Sequence, residues 1–127
     1  MMSKEILHTD HAPRAIGPYS QAVKAQGFLY TSGQLGIDPA TGKLCEGVEN
    51  QAHQAMKNLG AILKEAGLTY AAILKTTVFV TDLKDFAKVN AIYESYFEGA
   101  FPARSCVQVA ALPLGGQVEI ECVAAAE

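Results

Sequence analysis

Hydrophobic and polar positions change period several times along the 127-residue chain. After an irregular opening over residues 1–18, with Pro13 and Pro18 flanking Ala-Ile-Gly, the stretch YSQAVKA from Tyr19 is rich in β-formers and predicts a strand. Ala-Gln-Gly at 25–27 predicts a turn, and FLYTSGQLG a second strand closed by glycines, so the two make a hairpin. DPATG at 38–42 reads as another turn, followed by a short strand near 43–46. The period then becomes helical. Ala52, Ala55, Met56, Leu59, Ile62, Leu63 and Ala66 recur at three- and four-residue spacing, predicting a helix over about 49–66 that Gly67 stops in the left-handed conformation. ILKTTVFV at 73–80 is short and β-branched, hence a strand. Asp82 is placed to cap a second helix with Phe86, Val89, Ile92, Tyr93, Tyr96 and Phe97 on one side, ending at Gly99. RSCVQVAAL from Arg104 and QVEIECVA from Gln117 are the last strands, joined by a Pro-Leu-Gly-Gly turn at 113–116.

The order hairpin, helix, strand, helix, two strands folds most simply as an α+β domain: one mixed sheet with both helices on the same face. The other sheet face is then bare. Phe28, Val78, Val107 and Val109, or their alternate neighbours, put apolar surface on it, so an oligomer is expected.

Length and composition narrow the function without naming it. Residues 1–127 suit one domain, able to bury roughly two-thirds of its unfolded surface. Cys45, Cys106 and Cys122 are an odd set without CxxC spacing, which fits free thiols in a reducing compartment, so the cytoplasm is expected. The opening residues lack an apolar secretory core, and no window approaches the roughly 20 apolar residues of a membrane span. Ten basic residues against 13 acidic ones give a net charge of -3, and they are scattered singly, which argues against a nucleic-acid partner. His8, His11 and His53 have no metal-ligand spacing, so no metal site is expected. There is no nucleophile elbow, phosphate loop or cofactor motif, and no cofactor is expected.

Chemistry enters through strand alternation. Arg104, one of two arginines in the chain, shares a strand side with Cys106 and Gln108, while Gln117, Glu119 and Glu121 share a side of the last strand. A hairpin of these two strands would bring Arg104 and one glutamate into the same cleft; the structural alternative, which spacing alone favours, is an ion pair or a solvated face. Ser32 lies where a strand becomes a glycine bend, suited to close backbone approach or simply to a turn. Tyr19, after Gly-Pro, suits a ligand pocket or equally a core aromatic with its hydroxyl at the surface, and Asn90 stands at the edge of the apolar face of the second helix, either satisfied locally or aimed into an interface. Cys106 has no sequence-adjacent histidine to activate it.

Five segments together, AIGPYSQAV, YTSGQLGIDPATG, KTTVFVTDLKDFAKVN, FPARSCVQVAALP and VEIE, resemble the RidA/YjgF family of reactive-intermediate deaminases along nearly the whole chain. The resemblance implies a chorismate-mutase-like homotrimer with sites in the clefts between subunits. It also implies hydrolysis of 2-imino acids such as 2-iminopropanoate and 2-iminobutanoate to 2-keto acids and ammonia. On the matching positions, Arg104 would take the substrate carboxylate in a bidentate fork and Glu119, rather than Glu121, would orient or deprotonate the attacking water. Ser32 and Gly33 would line the imino end, Tyr19 would close the pocket, Asn90 would stand near the cleft, and Cys106 would contribute backbone groups. The competing readings are a carboxylate-binding regulator without turnover, which has no use for Glu119, and a ribonuclease or translation inhibitor, which the net acidity opposes.

Overall fold

A computed structural model describes residues 3–127. In chain order the elements are β1 (Glu5–Leu7), β2 (Ala22–Ala25), β3 (Phe28–Thr31), β4 (Gln34–Leu35), β5 (Ile37–Asp38), β6 (Lys43–Leu44), α1 (Val48–Glu65), β7 (Ile73–Val80), α2 (Phe86–Glu94), β8 (Ala103–Gln108) and β9 (Val118–Ala125). The main sheet runs β1-β2-β3-β9-β7-β8, with β4 also paired to β9, and β5–β6 form a small separate ladder. Only β7 and β8 are parallel, because α2 carries the chain from the end of one back to the start of the other. The class is the expected α+β, a mixed sheet with two helices packed on it.

Burial along β9 alternates strictly. Val118, Ile120, Cys122 and Ala124 are buried, and Thr76, Val78 and Val80 of β7 are buried beside them. On this face they meet Ala52, Ala55, Met56, Leu59, Ile62 and Leu63 of α1 and Val89, Ile92 and Tyr93 of α2 in one continuous core. Gly67, at φ +76°, ends α1 as its spacing predicts, and the Leu68 N–H closes on the Leu63 carbonyl at 2.8 Å. The opposite face is uncovered. Phe28, Tyr30 and Val107 stand exposed on it, whereas Val78 lies on the helix side and is buried.

Two expectations fail. The second helix ends at Glu94 rather than at Gly99: the Ser95 hydroxyl donates to the Ile92 carbonyl at 2.6 Å, and the Tyr96 and Phe97 amides bond only three residues back, tightening the chain out of the α form. Tyr96 and Phe97 still pack on the core. Asp82 does cap, but it caps a single 3₁₀ turn over Leu83–Asp85 that leads into α2. The larger correction is that β8 and β9 form no hairpin, because β7 lies between them. β9, buried at every second residue, requires a central place under α1, while half-exposed β8 tolerates an edge.

Buried polar side chains of α1 fix the segment that leads away from β4. Asn58 Nδ2 donates to the Leu35 and Ile37 carbonyls at 3.1 and 2.9 Å, and Gln51 bonds the Cys45 carbonyl and both the amide and the side chain of Gln117. Gly36 lies so close to α1 that a Cβ there would collide with the Gln51 backbone. Gly36→Ala is therefore expected to lower stability by about 1–3 kcal/mol, read from the urea midpoint at an unchanged m-value. A neutral substitution would show that the α1–β4 contact yields without cost.

Candidate active site

Arg104 pairs with Thr76 across the β7–β8 ladder, and Thr76 points into the core, so the arginine emerges on the helix side beneath α2. Three groups hold its guanidinium. Asn90 Oδ1 accepts from Nη1 at 2.7 Å, and the ring centroids of Tyr93 and Phe86 lie 4.9 and 5.4 Å from Cζ. A cleft of about 430 Å³ opens here between Asn90, Tyr93, Glu94, Phe101, Pro102 and Arg104. Among the described residues no lysine or arginine lies within ion-pair distance of a carboxylate, so the structural pairing of Arg104 with a strand glutamate does not form.

Glu119 stands in a different cleft, of about 500 Å³, with Arg14, Tyr19, Ser32, Gly33 and Leu114. The chain breaks between β3 and β4 at Ser32-Gly33, both strands being paired to β9. A Cβ on Gly33 would stand 2.7 Å from Glu119 Cδ, so glycine is what lets the carboxyl group fold down against this bend. The Ser32 hydroxyl donates to the Ser20 carbonyl at 2.6 Å, which leaves its oxygen free to accept. Tyr19 is exposed at the rim. Its segment is fastened by buried Gln21, whose Nε2 donates to the Thr9 and Pro13 carbonyls at 3.0 and 2.8 Å and whose Oε1 accepts from the Thr9 amide at 2.7 Å. Partial burial, and then the neighbouring Glu121 carboxylate, push the Glu119 pKa above that of an ordinary glutamate.

The structure thus brings Arg104 to Asn90, and Tyr19, Ser32 and Gly33 to Glu119, but keeps the two groups apart within one copy. Glu119 pairs with Phe79 and Glu121 with Thr77 on the bare face, whereas Arg104 shares the helix face with Thr76 and Val78. Two strands across and three residues along also separate Arg104 from Glu119, roughly 14 Å between Cα positions. The hairpin cleft expected from the sequence is therefore replaced by two separate clefts on opposite faces of the sheet. Cys106 lies on the arginine side opposite Val78, packed against the core, and lines neither cleft. Sequence reasoning missed Gln21, whose only signal was a polar residue in a β-rich run, and saw Phe86 and Tyr93 as apolar-face residues rather than as the arginine's platform.

A family model described as Endoribonuclease L-PSP matches residues 9–126. The chain belongs to this family, the RidA/YjgF family. It is 52% identical to the 2-iminobutanoate/2-iminopropanoate deaminase of Mus musculus over 122 residues, 95% of this chain and 90% of that protein. It is also 52% identical to the chloroplastic Reactive Intermediate Deaminase A of Arabidopsis thaliana, covering 97% of this chain but 66% of that longer protein. The crystal structure of Escherichia coli TdcF with bound serine superposes with a TM-score of 0.94 at 44% identity, over 97% of this chain and 99% of that one.

Within this RidA/YjgF chain the Cys106 thiol is held in its protonated form. Burial raises its pKa more than the nearby Arg104 lowers it. Residue-resolved iodoacetamide labelling across pH is expected to show Cys106 alkylated with a midpoint above that of a free cysteine. A midpoint near neutrality would instead mark an activated thiolate.

Proposed function

We propose that the chain hydrolyses 2-imino acids such as 2-iminopropanoate and 2-iminobutanoate to 2-keto acids and ammonia, in clefts completed between the copies of a homotrimer. The observation that carries this reading is the division of one site between two faces: an arginine held open without a carboxylate partner, and a glutamate of raised pKa held against a glycine bend. A substrate whose carboxylate is held by Arg104 and whose iminium carbon faces Glu119 needs both clefts, which one copy keeps apart. Association of the bare face, where Phe28, Tyr30 and Val107 are exposed, with edge strand β8 of one copy lying along the Glu119 cleft of the next, would set the arginine half of one copy against the glutamate half of its neighbour.

In that arrangement Arg104, one nitrogen already bound to Asn90, presents its remaining N–H groups to the substrate carboxylate as two charge-assisted bonds. The Ser32 oxygen accepts from the iminium N–H, and Tyr19 limits water entry. Glu119 of the neighbouring copy removes a proton from water as the oxygen bonds to C2 and the C=N π pair moves to nitrogen, giving a carbinolamine. The protonated Glu119 then returns that proton to nitrogen. Loss of ammonia and of the hydroxyl proton forms the 2-keto acid, so that iminium and water give keto acid and ammonium. Cys106 contributes backbone groups of edge strand β8, and its thiol takes no part. The description endoribonuclease belongs to the family model; a net charge of -3 with singly scattered lysines supplies no stripe for a polyanion.

A threonine dehydratase coupled to the purified protein tests the reading through the rate of imine loss. Acceleration above the spontaneous rate supports an enzyme; tight keto-acid binding without acceleration would leave a regulator. Arg104→Lys should retain the fold and lose about 10- to 150-fold in kcat/KM, corresponding to one charge-assisted contact of roughly 1.5–3 kcal/mol. Wild-type kinetics in that variant would remove the fork.

Glu119→Gln should abolish turnover while retaining keto-acid binding, and Glu121→Gln should remain active with a displaced acid limb. Glu121 raises the Glu119 pKa, so removing its charge lets Glu119 ionise at lower pH and moves the acid limb of kcat/KM downward. An upward shift, or a dead Glu121 variant beside an active Glu119 variant, would reverse the assignment of the two carboxylates.

A further inference from the structure

Resting on the reading of Arg104 as the carboxylate anchor, we propose that Tyr93 and Thr76 are positioning residues that fix the plane of the Arg104 fork. Tyr93 is 4% exposed, and its hydroxyl shares a 2.7 Å hydrogen bond with that of Thr76, which is 1% exposed. Thr76 is also the residue opposite Arg104 in the β7–β8 ladder. The contacts therefore close a ring: Arg104 is tied by the ladder to Thr76, Thr76 by its hydroxyl to Tyr93, and the Tyr93 ring lies 4.9 Å from the guanidinium carbon.

Each contact restrains a different freedom. The Asn90 bond fixes one nitrogen but leaves rotation about it. A ring beneath the planar cation removes that rotation, and the Thr76 bond stops the ring from sliding. Phe97, in the turn that follows α2, supports the ring further with its centroid 4.9 Å from that of Tyr93. Burial outweighs the opposing influences of Thr76 and Arg104 and keeps the Tyr93 phenol protonated, so it restrains the arginine without neutralising it. A purely structural tyrosine, satisfied by Thr76 and packed on Phe97, would show the same burial but no coupling to Arg104.

The test compares Tyr93→Leu, Tyr93→Phe, Thr76→Val, Arg104→Ala and the Tyr93→Leu/Arg104→Ala double variant in 2-iminobutanoate hydrolysis. Calorimetric binding of pyruvate and of its uncharged amide is measured beside it. Tyr93→Leu is expected to lose about ten-fold in kcat/KM and in pyruvate affinity, to keep its affinity for the amide, and to cost nothing further when Arg104 is already alanine. Tyr93→Phe and Thr76→Val, which keep the packing, should show the same selectivity for the charged ligand at a smaller loss of about 2- to 5-fold, and they decide the matter if the leucine variant does not fold. Equal loss for pyruvate and the amide, the same loss in the Arg104→Ala background, or wild-type behaviour of the Tyr93 and Thr76 variants overturns the proposal while leaving the arginine's role intact. Full activity of Arg104→Ala would overturn the anchor itself, and with it this inference.

Discussion

The alternation of side chains along a strand, transmitted from β8 through β7 to β9, is the constraint from which the rest of the molecule follows. In paired strands, residues opposite one another point to the same side. Thr76, Val78 and Val80 must face the helices to fill the core, so Arg104 and Cys106, opposite the first two, face the helices as well. Phe79 and Thr77 must then face outward, and Glu119 and Glu121 go with them. A slip of one residue between β7 and either neighbour would exchange core for surface along the whole strand, a loss on the order of several buried aliphatic side chains.

Around this rigid sheet the irregular segments are held by amides as well as by apolar burial such as that of Ala12. Gln21 fastens residues 9–13, Asn58 fastens the carbonyls of Leu35 and Ile37, and Gln51 joins the turn at Cys45 to the entrance of β9. Among the described residues no buried side-chain nitrogen or oxygen lacks a partner. Each such group would cost about 1–3 kcal/mol if left unpaired, so the same bonds that place the walls of the Glu119 cleft also discriminate against other placements.

The two clefts differ in how they treat charge. Arg104 is held by an amide oxygen and two rings, which orient a cation without cancelling it. Glu119 lies beside a second carboxylate and is partly withdrawn from water, so its charged form is disfavoured. A cation left uncancelled and a carboxyl group of raised pKa thus stand in separate clefts of the chain.

Periodicity alone established α1 nearly to the residue, β7 to the residue and the alternation of β8 and β9, because each depends on local geometry that a few neighbouring side chains report. It also placed Arg104 with Cys106, and Glu119 with Glu121. The family could be read from five segments, since a RidA/YjgF motif is a linear pattern. Tertiary structure alone decided that β7 stands between β8 and β9, because strand order is chosen by which strand must be buried on a face, a comparison between distant segments that no local window contains. It ended α2 at Glu94 through a serine hydroxyl and three-residue amide bonds that compete with the helix. It also turned Tyr93 from a core aromatic into the platform of an arginine, because the partners of a buried ring lie 11 residues later in sequence at Arg104 and 17 residues earlier at Thr76, joined only once the sheet has formed.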